Sequence, residues 1–309
     1  MRAAIYDEFG GPEVLEVRDV PEPPVGPDSV LVRARATSVN PVDWKVRQGY
    51  LQGALPHHLP IVPGWDVAGV VEAVGPAVRT GLVPGDEVYG YVRRDDVALG
   101  TSAELVAAPE RTLAPKPASL SFEEAAALPL AGLTAYQALT EGLEVTDGDR
   151  VLVHAASGGV GHLAVQIAKA QGAHVVATAS AGAHDWLREL GADEVLDYTA
   201  GPISEQLAAG SGKVDAVLDL IGGDALDDAP RQVEGGTRIV SVIDPAVRDL
   251  GGTYVFVRPD REGLEALAAL ADDGRLRVRV AATYPLEEIA AAHRHSEEGH
   301  PGGKVVVTL

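Results

Sequence analysis

Val151-Leu152-Val153-His154-Ala155-Ala156-Ser157-Gly158-Gly159-Val160-Gly161 decides the fold of this 309-residue chain. A short apolar run with little polar alternation predicts a strand buried on both faces. It passes without a spacer into a glycine-rich turn, and the turn into residues 159–170, where Val160, Leu163, Ala164, Ile167 and Ala168 recur at helical spacing. Such a strand–turn–helix corner suits a pyrophosphate. Gly158 lets the backbone approach the phosphates and Gly161 lets helix and strand pack closely. The free N–H groups and the positive dipole end of the helix face the anion. Ala156 stands where the first glycine of the pattern falls, so a small residue must satisfy the turn there. Ser157, Gly158, Gly159, Val160 and Gly161 are therefore the candidate phosphate-cradling residues, against the competing reading of a glycine corner without a ligand.

Outward from this corner, strand patterns recur near 151–155, 174–178, 194–197, 214–218, 237–242 and 253–257, separated by helix patterns that include 183–190. Alternation of this kind predicts an α/β domain with a doubly wound parallel sheet. An Ala-rich helical stretch, 123–142, precedes it. The first 121 residues are rich in Pro and Gly and carry short alternating segments such as Val30-Leu31-Val32-Arg33-Ala34-Arg35-Ala36, with turns such as Pro84-Gly85-Asp86, and read as a mostly β domain. Residues 275–309 return to short strand segments and end in Lys304-Val305-Val306-Val307-Thr308-Leu309. The expected division is 1–121 for the β domain, 122–274 for the nucleotide-binding domain and 275–309 for a return to the first.

Composition narrows the function. With 46% hydrophobic and 23% charged residues the chain can fill two ordinary cores. It contains no cysteine, which removes disulfides, thiol nucleophiles and thiolate-ligated zinc together. A net charge of −20 disfavours a hold on nucleic acid. The N-terminus turns acidic within eight residues and no apolar run reaches membrane-spanning length, so no membrane partner and a cytoplasmic location are expected.

The end of the second strand selects the dinucleotide, because an acid there would hold the ribose 2′-hydroxyl of NAD. Thr178-Ala179-Ser180 supplies none. Ser180 leaves room for a 2′-phosphate, with His184 and Arg188 as positive partners, and predicts NADP(H) as cofactor; the bland readings are a helix cap and a solvated helix face. The same corner also lies one substitution from a Gly-x-Ser-x-Gly nucleophile elbow, so a serine hydrolase using Ser157, with Asp244 and His293 in chain order, is a minor alternative.

Taken with Ala131-Gly132-Leu133-Thr134-Ala135-Tyr136-Gln137-Ala138-Leu139, the segments Pro63-Gly64-Trp65-Asp66-Val67-Ala68-Gly69, Pro84-Gly85-Asp86-Glu87-Val88-Tyr89-Gly90, Leu190-Gly191-Ala192-Asp193 and Gly303-Lys304-Val305-Val306 make the chain resemble the medium-chain dehydrogenase/reductase superfamily. More narrowly it resembles the zinc-free quinone oxidoreductase, or zeta-crystallin-like, branch. The resemblance implies a GroES-like catalytic domain interrupted by a Rossmann domain and completed by the C-terminal strands. Trp65 stands where zinc alcohol dehydrogenases of the superfamily carry a metal-ligating His, and with no cysteine their zinc sites cannot be built. His57 and His58 read as loop residues, and no metal site is expected.

Without a Lewis acid, the economical reaction is hydride delivery from the nicotinamide to an acceptor activated by its own conjugation, a quinone or an α,β-unsaturated carbonyl. The acceptor oxygen then needs hydrogen-bond donors and the α-carbon a proton. The resemblance places Asn40 beside the nicotinamide ribose and Lys45 and Tyr50 at the substrate mouth, although relatives often carry Tyr in place of Lys45 and their second Tyr one residue after Tyr50. It also carries Thr134 to the nicotinamide side, Tyr198 to the 2′-phosphate side, Gly222 and Ile243 to strand ends lining the cofactor cleft, and Lys304 as a further cofactor residue. The bland readings are Asn40 as a turn residue, Asp43 and Arg47 as a local ion pair, Tyr50 as a loop-covering aromatic, Thr134 as a packing residue and Lys304 as a solvated edge-strand charge. Asp219 reads as a loop-fixing residue. A redox-inactive NADPH-binding sensor or structural protein is the alternative from another class. The segment 251–257 at a sheet edge predicts a homodimer.

Overall fold

The computed structural model describes residues 1–299 and 302–309. The chain forms two compact units. The first comprises Met1–Leu130, Arg258–Asp272 and Val278–Leu309, and the second Ala131–Val257 and Asp273–Arg277.

The first unit is built on a seven-stranded sheet. Strand Ser29–Val39 lies at its centre, antiparallel to Asp66–Val74 on one side and to the C-terminal strand Lys304–Thr308 on the other. Its alternation leaves Arg33 and Arg35 exposed while Val30, Val32 and Ala34 join Val67, Val71, Val88, Val106 and Leu113 in a buried core. The C-terminal strand pairs Val305 with Val39, and this register sets Lys304 opposite Asn40. Lys304 is thus not on a solvated edge: Val280–Pro285 covers the far side of its strand, and the side chain is only 4% exposed.

Two segments that the sequence pattern assigns to the nucleotide-binding stretch, Phe122–Leu130 and Arg258–Asp272, belong to this first unit. The 123–142 stretch is not one helix. Ser121 caps a helix Phe122–Ala127 by accepting the Glu124 N–H, and a second helix starts at Pro129, whose missing N–H and ring interrupt the first. The helix Arg261–Asp272 is fastened to the β sheet where the Tyr89 hydroxyl donates to the Leu264 carbonyl at 2.5 Å. Residues 275–309 hold more than strands: Ile289–Glu297 is a helix whose buried face includes Ile289, Ala292 and His293. His57 and His58 lie in a short strand, His57–Val62, and not in a loop.

The second unit is a six-stranded parallel sheet in the order Glu194–Asp197, His174–Ala179, Arg150–Val153, Ala216–Asp219, Ile239–Ser241, Thr253–Tyr254. The chain starts in the middle, winds outward on one side, then crosses to the other. The switch point of this doubly wound α/β sheet therefore falls at Arg150–Val153, whose carboxyl end carries the glycine turn. The expected strands are all present, shortened at several ends; His154 still donates its N–H to the Leu218 carbonyl at 3.0 Å before the chain turns at Ala155. Among the described residues no helix is long and apolar enough to cross a membrane.

Candidate functional site

In the second unit the helix after the glycine turn runs Gly161–Ala170. A Cβ on Gly161 would lie 2.3 Å from the Ala155 carbonyl oxygen and 2.6 Å from the Ala156 Cα, so helix and strand meet at a distance only glycine permits. At Gly158 the nearest obstacle to a Cβ is the Ala155 oxygen at 3.2 Å, and no other atom stands within 4 Å. The left-handed residue of the turn is Ala155, with φ of 45°, one position before the alanine read as replacing the first glycine. Ala156 instead donates its N–H to the Thr178 carbonyl at 3.0 Å and is buried. The turn, the open face at Gly158 and the first-turn N–H groups fit a dinucleotide pyrophosphate.

The neighbouring strand ends continue this face. Ala179 pairs with Asp197, which brings Ser180 and Tyr198 to adjacent positions just past two carboxyl ends. Ser180 is exposed, and Tyr198 is 50% exposed. His184 is partly buried with Nε2 3.3 Å from the Ala179 carbonyl oxygen, whereas Arg188 is drawn to Asp185 at 2.9 Å. The Asp197 carboxylate accepts the hydroxyl and N–H of Thr199, which hold it below its usual range. On the other side of the switch point, Asp219 accepts the N–H groups of Ile221 and Gly222 and the Ser241 hydroxyl at 2.7 Å, and Ser241 Oγ accepts the N–H groups of Ile243 and Asp244. One buried carboxylate and one hydroxyl thus fix the two turns that carry Gly222, with φ of 78°, and the exposed Ile243. Asp219 fixes a loop as read from the sequence; Ser241 carried no sequence signal. Thr134 is buried in helix Pro129–Gln137.

In the first unit, Asn40 precedes helix Pro41–Arg47 as its N-cap residue. Its backbone N–H donates to the Asp43 carboxylate at 2.6 Å, and Pro41 takes the first helical position. The Asn40 side chain faces Asp43 across this capping box and reaches two further groups. Its Nδ2 donates to Asp66 at 2.8 Å, and its Oδ1 accepts from Lys304. Asp66, buried completely, also accepts the Ser38 hydroxyl at 2.6 Å and the Leu130 N–H at 2.8 Å, and lies 3.8 Å from Lys304 Nζ. Burial raises the Asp66 carboxyl and lowers the Lys304 ammonium, each opposed by the other's charge. Burial likewise pushes Asp43 up to about 7 against the pull of the Asn40 N–H.

The remaining candidates of this segment are less enclosed. Lys45 is partly buried with Nζ 5.5 Å from the Trp44 ring centroid, and Tyr50 is 61% exposed. Asp43 and Arg47 do not form the local ion pair that their spacing suggests, because Asp43 turns to the helix start. Arg47, fully buried, donates instead to the Gly10 carbonyl, to Glu297 at 2.9 Å and to His293 Nδ1 at 3.1 Å. Fully buried and facing a guanidinium, His293 is pushed down to about 3 and has the wrong partner for the base of a serine triad.

Trp65, 6% exposed, packs edge-on against Tyr91 with ring centroids 6.1 Å apart. The chain has no cysteine, and among the described residues no group of three or more His, Asp or Glu is placed to hold a metal ion. A zinc ion does not fit these residues.

Residues 26–118 match the family model described as alcohol dehydrogenase GroES-like domain, and residues 190–307 that described as zinc-binding dehydrogenase. The chain is 37% identical over 329 residues to a chloroplast envelope quinone oxidoreductase homolog of Arabidopsis thaliana, covering 99% of this chain and 98% of that protein. It is 38% identical over 316 residues to the NADPH-dependent alkenal/one oxidoreductase of the same plant, covering 99% of this chain and 79% of that protein. Among solved structures, the quinone oxidoreductase from Coxiella burnetii superposes with a TM-score of 0.90 at 36% identity, covering 100% of this chain and 99% of that one. The lineage, the GroES-like and Rossmann folds and the glycine turn agree: the chain is an oxidoreductase that belongs to the quinone oxidoreductase branch of the medium-chain dehydrogenase/reductase superfamily.

Proposed function

We propose that this enzyme uses NADPH to reduce a quinone or an α,β-unsaturated carbonyl without a metal ion. The observation that carries the reading is the near-full-length likeness to relatives named for these two acceptor classes, in a chain whose residues offer no zinc site. Bound NADPH supplies a hydride. Ser157, Gly158, Gly159, Val160 and Gly161 hold the pyrophosphate through backbone N–H groups. Ser180, His184 and Tyr198 receive the 2′-phosphate, and the absence of an acid at position 180 supports NADPH over NADH. Thr134, Gly222 and Ile243 line the nicotinamide half. Asn40 offers an N–H to the acceptor oxygen as it gains negative charge, and Lys45 and Tyr50 serve the acceptor side, where a proton is needed. Pairing of edge strand Thr253–Tyr254 with that of a second copy gives a homodimer.

Steady-state oxidation of NADPH and NADH against a panel of alkenals, enones, benzoquinones and naphthoquinones tests the reading. Turnover with NADPH preferred is expected. Tight NADPH binding with no turnover of any acceptor would establish the redox-inactive alternative. Product analysis then divides saturated carbonyls from hydroquinones.

A further inference from the structure

The first unit buries a cluster of polar and ionisable side chains away from the nucleotide face. Asn40, Asp43, Asp66, Lys304 and Ser38 are all at most 4% exposed. Burying this many ionisable groups together is costly and adds little to stability compared with apolar packing, so their presence calls for a specific purpose. The hydrogen bonds supply one. Asn40 is held at both ends of its side-chain amide by ions of opposite sign, a cation at the oxygen and a carboxylate at the nitrogen.

We infer that Lys304 and Asp66 are positioning residues that lock the Asn40 amide in a single orientation, its N–H groups held toward the carboxylates and its oxygen toward the ammonium. The amide has two N–H donors and an oxygen with two lone pairs: Nδ2 donates to Asp66 and also faces the Asp43 carboxylate, while Oδ1 accepts from Lys304. Rotating the amide by half a turn would set its N–H groups against the Lys304 ammonium and its oxygen against the Asp66 carboxylate. Both contacts are repulsive, and burial removes the water that would screen them. An unclamped asparagine interconverts between two faces that differ in the sign of the dipole they present. A clamped one keeps its dipole in one sense, and a dipole oriented in advance is what stabilises developing negative charge. The fold supplies both ions locally: Asp66 opens the strand antiparallel to Ser29–Val39, and the register Val305 to Val39 delivers Lys304 across from Asn40. Lys304 thus acts through Asn40. The part of this inference that concerns catalysis rests on the reductase reading; the clamp itself does not.

The test reads the amide directly. In 15N-labelled protein, the Asn40 side-chain resonance, assigned by its loss in Asn40→Asp, is expected to exchange slowly with D2O. Lys304→Met and Asp66→Asn should each shift it and speed its exchange by about tenfold or more, since each removes one restraint on a buried amide. If either variant does not fold, the other still decides. An Asn40 amide unmoved in a folded variant that is merely less heat-stable overturns the clamp and leaves these ions a packing role. With an acceptor in hand, Lys304→Met should lower kcat about tenfold while the KM for NADPH changes less than about threefold. In an Asn40→Ala background the same substitution should cost less than about twofold. Equal costs in both backgrounds would overturn action through Asn40. Wild-type protein that turns over no acceptor would refute the reductase reading, with the resonance measurement still deciding the clamp.

Discussion

At the scale of single residues, burial decides which charges work and which stay silent. Burial strips the water an imidazolium at His293 would need, and Arg47 beside it repels one, so the folded protein keeps it neutral. Its proton affinity in the fold, about 3, lies below the 6.5 of the unfolded chain. The stability this confers is fully present above 6.5 and is lost as pH falls toward 3. From pH 8 to pH 5.5 the loss is expected to be about 1.4 kcal/mol from this one group. Denaturant titrations of the wild type and of His293→Gln at the two pH values check it: the variant should be less stable overall and lose less on acidification. An equal acid loss in both proteins would show that His293 is not the group responsible. Asn40 belongs to the same scale. Asn40→Ala is expected to lower kcat by about 10²-fold, the range for removing one preorganised donor, while cofactor affinity measured by tryptophan fluorescence changes little.

At the scale of elements, the glycine turn joins a strand and a helix that almost touch. A methyl group at Gly161 would overlap the Ala155 carbonyl and Ala156 Cα, both of them backbone atoms that no side-chain rotation can move. Gly161→Ala should therefore cost about 1–3 kcal/mol, the range for overpacking, and weaken NADPH binding by displacing the helix end. Thermal unfolding with and without NADPH separates the two effects: the variant should melt lower and gain less from the cofactor. Unchanged cofactor stabilisation would remove Gly161 from the phosphate cradle. The turns after Ala216–Asp219 and Ile239–Ser241 depend on each other through the Asp219–Ser241 hydrogen bond. This face is thus fixed by a side-chain bond between the last residues of neighbouring strands as well as by their ladder.

At the scale of the molecule, two expectations follow from the absence of thiols and from the exposed sheet edge. Prolonged dialysis against a strong chelator should leave activity and melting temperature unchanged, and a loss restored by zinc would overturn the metal-free reading. Light scattering should give twice the chain mass. Phe256, 47% exposed just beyond Thr253–Tyr254, offers a test of where the copies meet. Phe256→Asp should shift the protein toward the monomer if the edge strands pair, and a dimer of undiminished stability would place the interface elsewhere. The parallel sheet and its glycine turn are legible in the sequence, because strand periodicity, the helix that follows and the close-packing glycine are local features contained within twenty residues. The sequence also determined the lack of thiolate ligands, which is a matter of composition. Tertiary structure alone decided that Lys304 is buried against Asn40 and Asp66, that Arg47 turns from Asp43 to His293 and Glu297, and that Arg258–Asp272 joins the first unit. Each of these depends on pairing between segments far apart in the chain, where the register of a C-terminal strand or the docking of a helix chooses the partner, and local spacing carries no information about that choice.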